Sequence, residues 1–246
     1  MQDIKYSTNE EKRLFASWQN AIGALANSYI GTDTSVLTVH KLGGGGFPYT
    51  VKMYGWPTIV SERILPFTPN GKPLKNYANS MLGSFTYPRG IAPCSILIAN
   101  GKTVFGNSCH AHIGKPESVI YQRANGAVGA KRVLSASELP SDTVTAVGGM
   151  GLCSQYDPRA EGFTGSYADV TYANKHNILG YKEGLWYGIY VSGLTGAQVN
   201  DLCAKKFKFA YALLLDGGGL AAINGAESFA KINISSIKQG YVIQFI

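Results

Sequence analysis

Phe209-Ala210-Tyr211-Ala212-Leu213-Leu214-Leu215 runs directly into Asp216-Gly217-Gly218-Gly219. An apolar run of this kind, with no charge to expose, reads as a strand covered on both faces in the middle of a sheet. Asp216 then stands at the lip of that sheet beside backbone that carries no Cβ. Glycines at 217, 218 and 219 admit positive φ and let N–H groups come close to an anion or a hydroxyl-rich ligand. A carboxylate in that position can work as an acid or base, orient a sugar hydroxyl, or hold a cation. As a plain strand-to-strand turn, the same residues would need Asp216 only as a turn former.

Outward from this strand, the flanking elements are legible. Thr195 and Gln198 form a capping box, and Val199, Leu202, Cys203 and Phe207 give the following helix its buried stripe. Leu185 to Val191 reads as an aromatic-rich strand. Asn100-Gly101 between Ser95–Ala99 and Lys102–Phe105 predicts a two-residue hairpin, and Asn125-Gly126 repeats the device between Ser118–Gln122 and Ala127–Leu134. Val144 to Val147 is expected to end at Gly148-Gly149-Met150-Gly151, and residues 154–177 read as a polar, aromatic functional loop. Ala221 to Ile223 and Tyr241 to Ile246 supply the last strands.

Toward the N-terminus, Thr8 and Glu11 open a second capping box. Leu14, Phe15, Trp18, Ala21, Ile22 and Leu25 then recur at helical spacing, predicting an amphipathic helix over about residues 9–27. Ser35 to Leu42 reads as a strand, and residues 49–65 as strands broken at Gly55 and Pro57. Gly43-Gly44-Gly45-Gly46 is not a P-loop: no Gly-Lys-Ser/Thr follows, and Phe47-Pro48 cannot open the phosphate-binding helix.

Composition bounds the rest. The chain of 246 residues is 45% hydrophobic and 15% charged, with 30 glycines and 15 tyrosines, which is too apolar and aromatic for disorder. No apolar run is long enough to span a membrane. The polar opening from Met1 to Glu10 carries no signal-peptide core, so a cytoplasmic or virion-associated protein is expected. A net charge of +7 suits an anionic partner. Basic residues are not clustered in runs, so no long nucleic acid is expected. Cys94, Cys109, Cys153 and Cys203 sit too sparsely for a disulfide framework, and Cys109-His110-Ala111-His112 has no second ligand pair to complete a zinc site. The fold class expected is α+β: one domain with a mixed, mostly antiparallel β-sheet flanked by helices, plus the N-terminal amphipathic helix.

From residue 77 onward the order of motifs resembles the phosphodiester glycosidases, relatives of the enzyme that uncovers mannose 6-phosphate, with a bacteriophage member in view. The segment Tyr77-Ala78-Asn79-Ser80-Met81-Leu82-Gly83-Ser84-Phe85 is similar to the family's early strand and Asn-Gly-Gly-Phe-Phe type of motif. Pro93 to Gly101 resembles the strand and turn after it, and Ala146-Val147-Gly148-Gly149 the central Gly-Gly segment. The helix from Thr195 to Phe207 with Ala212 to Gly219 resembles the closing signature, and Ile223-Asn224-Gly225 falls where a hairpin is expected. Two departures stand out: Asn174-Lys175-His176-Asn177 replaces an Arg-Thr pair, and Leu220 replaces a serine after the glycines.

The resemblance implies a glycosidase-like domain at 77–246, with residues 1–76 as a helix and β extension packed on it. It implies hydrolysis of the glycosidic bond in a sugar-1-phosphodiester, on a glycan, teichoic-acid-like or nucleotide-like substrate. Asp216 is the implied catalytic residue. Asn79, Gly83, Gly148, Gly149, Lys175, His176, Gly217, Gly218 and Gly219 would bind the anionic, phosphate-bearing sugar or nucleotide. No cofactor is required, a divalent cation at Asp216 is allowed, and the metal question stays open. Two alternatives compete: a non-catalytic glycan- or phosphate-binding protein such as a phage virion appendage, and a phage counter-defence protein acting on a cyclic nucleotide. In the last, Tyr156, Tyr167 and Tyr172 would stack a base. The N-terminal helix would serve a homo-oligomer or virion contact.

Overall fold

The computed structural model describes residues 36–40, 50–56, 60–64, 80–86, 93–218, 221, 223–224 and 241–245. The expected helix over residues 9–27, with Trp18, lies outside the described residues, as do Asn79, Gly219 and Leu220.

Strands β1 (Val36–His40), β2 (Thr50–Trp56), β5 (Leu97–Ala99), β6 (Lys102–Phe105), β7 (Glu117–Arg123), β8 (Val128–Val133), β9 (Thr143–Leu152), β10 (Asn174–Lys182), β11 (Leu185–Leu194) and β12 (Tyr211–Gly217) build the larger sheet. A smaller one holds β3 (Val60–Ile64), β4 (Ser80–Leu82), β13 (Ile223–Asn224) and β14 (Tyr241–Phe245). Among the described residues the strand pairs of both sheets are antiparallel and helix is scarce. The β part of the expectation stands, without the parallel pairs that a mixed sheet would add.

The apolar run before Asp216 is β12, between β10 and β9. Its side chains alternate between two cores. Ala212 and Leu214 join Met150, Ile178, Ile189, Val199 and Phe207 under the helical layer. Leu213 and Leu215 face Met81, Ile243 and Phe245 of the smaller sheet. Burial on both faces is why the run has no polar alternation.

The helical layer begins as expected. Thr195 is the N-cap of α1 (Gly196–Asp201), its hydroxyl accepting from the Gln198 N–H at 3.3 Å while Gln198 Oε1 accepts from the Thr195 N–H at 2.9 Å. The helix then widens into a π-helical turn over Leu202–Phe207 and stops at Lys208, whose φ of 53° is left-handed.

Three expectations change. Gly148-Gly149-Met150-Gly151 does not end a strand but lies inside the ten-residue β9. A Cβ at Gly148 would overlap the Glu117 carboxylate, and one at Gly149 would stand 2.8 Å from the Leu214 carbonyl, so these glycines make room for neighbours. Second, residues 174–177 belong to β10 and not to a loop. Third, of the two hairpins expected to turn in two residues only Asn100-Gly101 does so, with φ of 51° and 73°; Glu183-Gly184 between β10 and β11, at 53° and 81°, is a further turn of that kind. At the second hairpin Gly126 N–H bonds to the Arg123 carbonyl and the Arg123 N–H to the Ala127 carbonyl, a longer turn with Gly126 at φ 84°.

Candidate active site

The larger sheet forks at β9. One edge of β9 pairs with β7; the other is shared, Met150–Leu152 with β12 and Ala146–Val147 with β5. Strand β12 therefore ends where β5 begins, opposite Gly148 and Gly149, and Asp216 stands at that division. The register adds a bulge: His176 pairs with Gly217 while Ile178 pairs with Leu214, so β12 carries an extra residue across from Asn177. Bulges re-aim side chains at strand ends, and this one turns the chain at the carboxylate.

Asp216 is partly buried. Its Oδ2 accepts from Thr86 Oγ1 at 3.2 Å and its Oδ1 from the Gly217 N–H at 2.9 Å. Burial pushes its pKa up to about 6, against the two hydrogen bonds that favour the anion, and the charge of Asp169 pushes the same way as burial. A carboxyl so placed exchanges its proton near neutrality. The surrounding cleft of about 330 Å³, part of it open to solvent, is lined by Asp169, Val170, residues 174–176 and residues 214–218.

The site residues read from the sequence fall into groups. Asp216, Lys175, His176, Gly217 and Gly218 share the cleft. Lys175 is exposed. His176 is 1% exposed, its Nε2 donates to the Leu194 carbonyl at 2.7 Å, and burial lowers its pKa against its backbone hydrogen bonds, so the ring is committed to the backbone. Gly217 has a local reason to be glycine, since a Cβ there would stand 2.6 Å from the Lys175 carbonyl. Gly218, at φ 62°, needs glycine for its backbone. Gly148 and Gly149 lie buried at the fork, and Gly83 is buried beyond β4.

Sequence reasoning passed over Thr86, Asp169 and Glu117. Thr86 and Asp169 carry no local signal. Glu117 had one, as the first acid after Glu62, placed at the head of an apolar strand. It is fully buried and accepts from Ser95 Oγ at 2.9 Å and from the N–H groups of Ile96 and Cys109. Burial raises its pKa to about 7 against those bonds. Cys94 lies within reach of both charges, Glu117 and Asp216, and burial with these carboxylates pushes its thiol up to about 12. The cysteines are unpaired. In the Cys109–His112 stretch, His110 Nδ1 donates to the Glu161 carbonyl at 2.7 Å, and among the described residues no group of three or more His, Cys, Asp or Glu is placed to hold a metal.

No family model and no curated protein matches the sequence. Solved structures do match in shape. The catalytic domain of zebrafish N-acetylglucosamine-1-phosphodiester alpha-N-acetylglucosaminidase, auto-inhibited by its pro-peptide, aligns with a TM-score of 0.65 at 16% identity, over 88% of this chain and 84% of that one. A putative exported protein from Burkholderia pseudomallei aligns at 0.58 and 11% identity, over 96% and 81%. A hypothetical protein from Synechocystis gives 0.58 and 11%, over 87% of this chain and 64% of its own length. The likeness is one of fold. No helix among the described residues is long and apolar enough to cross a membrane.

Proposed function

We infer that this chain hydrolyses the glycosidic bond of a sugar-1-phosphodiester, with Asp216 as the proton-handling group. The observation that carries the reading is a single one: a carboxyl with a pKa near 6 at a strand bulge, opening into a cleft on a fold shared with a glycosidase of that class. Water attacks the anomeric carbon, the bond from that carbon to the phosphate oxygen breaks, and a free sugar and a phosphomonoester leave. A phosphomonoester departs as an anion without needing a proton. The proton that must be managed is the one lost by water, and ionised Asp216 is suited to take it. Lys175 and the N–H groups of Gly218 and Gly219 would meet the phosphate, while the Gly217 N–H holds Asp216, and Asn79 and Asp169 would meet the sugar hydroxyls.

The test is release of free sugar from a panel of sugar-1-phosphodiesters. Asp216→Asn keeps an oxygen for the Gly217 N–H and sets its amide NH2 against Thr86 Oγ1, a hydroxyl that can accept as well as donate, so folding and affinity should persist while turnover falls at least about a hundredfold. Turnover that survives the substitution discards Asp216 as the base. Saccharide binding without any turnover by the unaltered chain would assign it to the non-catalytic alternative.

A further inference from the structure

Beside the cleft, five aromatic rings run from Asp216's hydrogen-bond partner to the surface. Phe85, next to Thr86, lies 5.3 Å from Phe163; Phe163 lies 4.8 Å from His110; and His110 lies 4.7 Å from Tyr167, whose hydroxyl is 3.4 Å from His112 Nε2. The inner part is pinned. Glu161, fully buried, accepts from Ser118, Gly151 and Arg132, and its carbonyl holds His110. The outer part is bare. Among the described residues the exposed large hydrophobic side chains are Ile113, Leu134, Tyr167 and Tyr172; Ile113 follows His112 in the chain, and Tyr167 and Tyr172 belong to one short helix and its cap. Tyr167 (42% exposed) sits within the short helix Gly165–Thr171, Tyr172 (61% exposed) caps it, and Asp169 and Val170 between them line the cleft.

We propose that Tyr167 and Tyr172 form a stacking platform for a second pyranose ring, linked to the one in the cleft, so that the ligand is an oligosaccharide and not a single sugar. The inference rests on the glycosidase reading for the contents of the cleft, but not for its chemistry. Rings of this kind cover the C–H face of a sugar, and the carboxylates of Asp169 and Asp216 accept its hydroxyls. A second sugar ring adds no charge beside these two carboxylates, where Lys175 is the lone cation among the described lining residues, whereas a nucleoside polyphosphate would add several negative charges.

Binding of mono-, di- and trisaccharides of glucose and of N-acetylglucosamine to the full chain tests the proposal by calorimetry. The two-ring ligands should bind more tightly than the one-ring ligands. Tyr167→Ala and Tyr172→Ala should each remove about threefold to tenfold of that advantage. Tyr167→Phe and Tyr172→Phe should keep it, since the ring and not the hydroxyl makes the contact. Affinity indifferent to ligand length, or a length advantage untouched by both alanine variants in folded protein, overturns the platform. So does a nucleotide that binds through Tyr167 where no saccharide does. Sugar release with indifference to length would sink the platform and leave the glycosidase reading standing; a tyrosine-dependent length advantage without sugar release would do the reverse.

Discussion

At Asp216 two demands conflict. Burial favours the neutral acid, whereas accepting a proton from water requires the anion. With the pKa near 6, the ionised form is the majority at neutral pH, yet the group keeps more proton affinity than an exposed aspartate. Sugar release is therefore expected to rise as pH climbs through about 6 and to level off above it; a rate that falls over that range would make Asp216 an acid instead of a base. Gly148 gives a purely structural prediction. A methyl there meets the Glu117 carboxylate and stands 3.0 Å from the Ile96 nitrogen, neither of which is free to move away. Gly148→Ala should cost about 1–3 kcal/mol, the range for overpacked interiors, read as a lowered midpoint in denaturant. An unchanged midpoint would mean the fork is looser than its distances show.

Elements held by local chemistry are legible from the sequence. The Thr195–Gln198 box forms both of its hydrogen bonds, and Asn100-Gly101 makes the tight turn expected of it. Thr195→Ala should accordingly destabilise the chain by about 1 kcal/mol, with Thr195→Ser restoring most of it, as thermal unfolding would measure. Elements shaped by distant partners are not legible. Gly148 to Gly151 reads as a strand end because glycine usually marks one, but the need is for Glu117, Leu214 and Ser118 to approach from other strands. Asn174 to Asn177 reads as loop because its polar letters hide a pairing with β11 and β12. The site divides in the same way. Asp216 and the glycines after it are visible as a strand ending in a flexible run. Thr86 and Asp169 come from segments about 130 and 47 residues away in the chain, and only the fork and the turn at Gly165–Thr171 bring them to the carboxylate.

Across the whole molecule, buried ionisable groups of both kinds set how stability responds to pH. Burial raises the pKa of Glu117 to about 7 and of Asp216 to about 6, and raises that of Glu161 as well. A carboxyl that binds its proton more tightly when folded stabilises fully below its unfolded pKa, and that stability drains away as pH rises through the folded value. His110 and His176, with pKa values lowered by burial, act the other way: they cost stability as pH falls below the ordinary histidine range. The opposing slopes overlap in mild acid, so the raw profile cannot assign either one. The difference between unaltered chain and Glu117→Gln can. The amide introduced by that substitution does not titrate, and every other group cancels to the extent that it is unaffected by the change. Relative to that variant, the native chain should lose stability from about pH 4.5 to about pH 7 and run parallel to it above about pH 8. Each tenfold difference in proton affinity is worth about 1.4 kcal/mol, which makes the total on the order of 3 kcal/mol. Denaturant titrations of both proteins at half-unit intervals of pH would measure it. Parallel curves over the whole range would show that Glu117 is ionised in the folded protein, held by Ser95 and the N–H groups of Ile96 and Cys109.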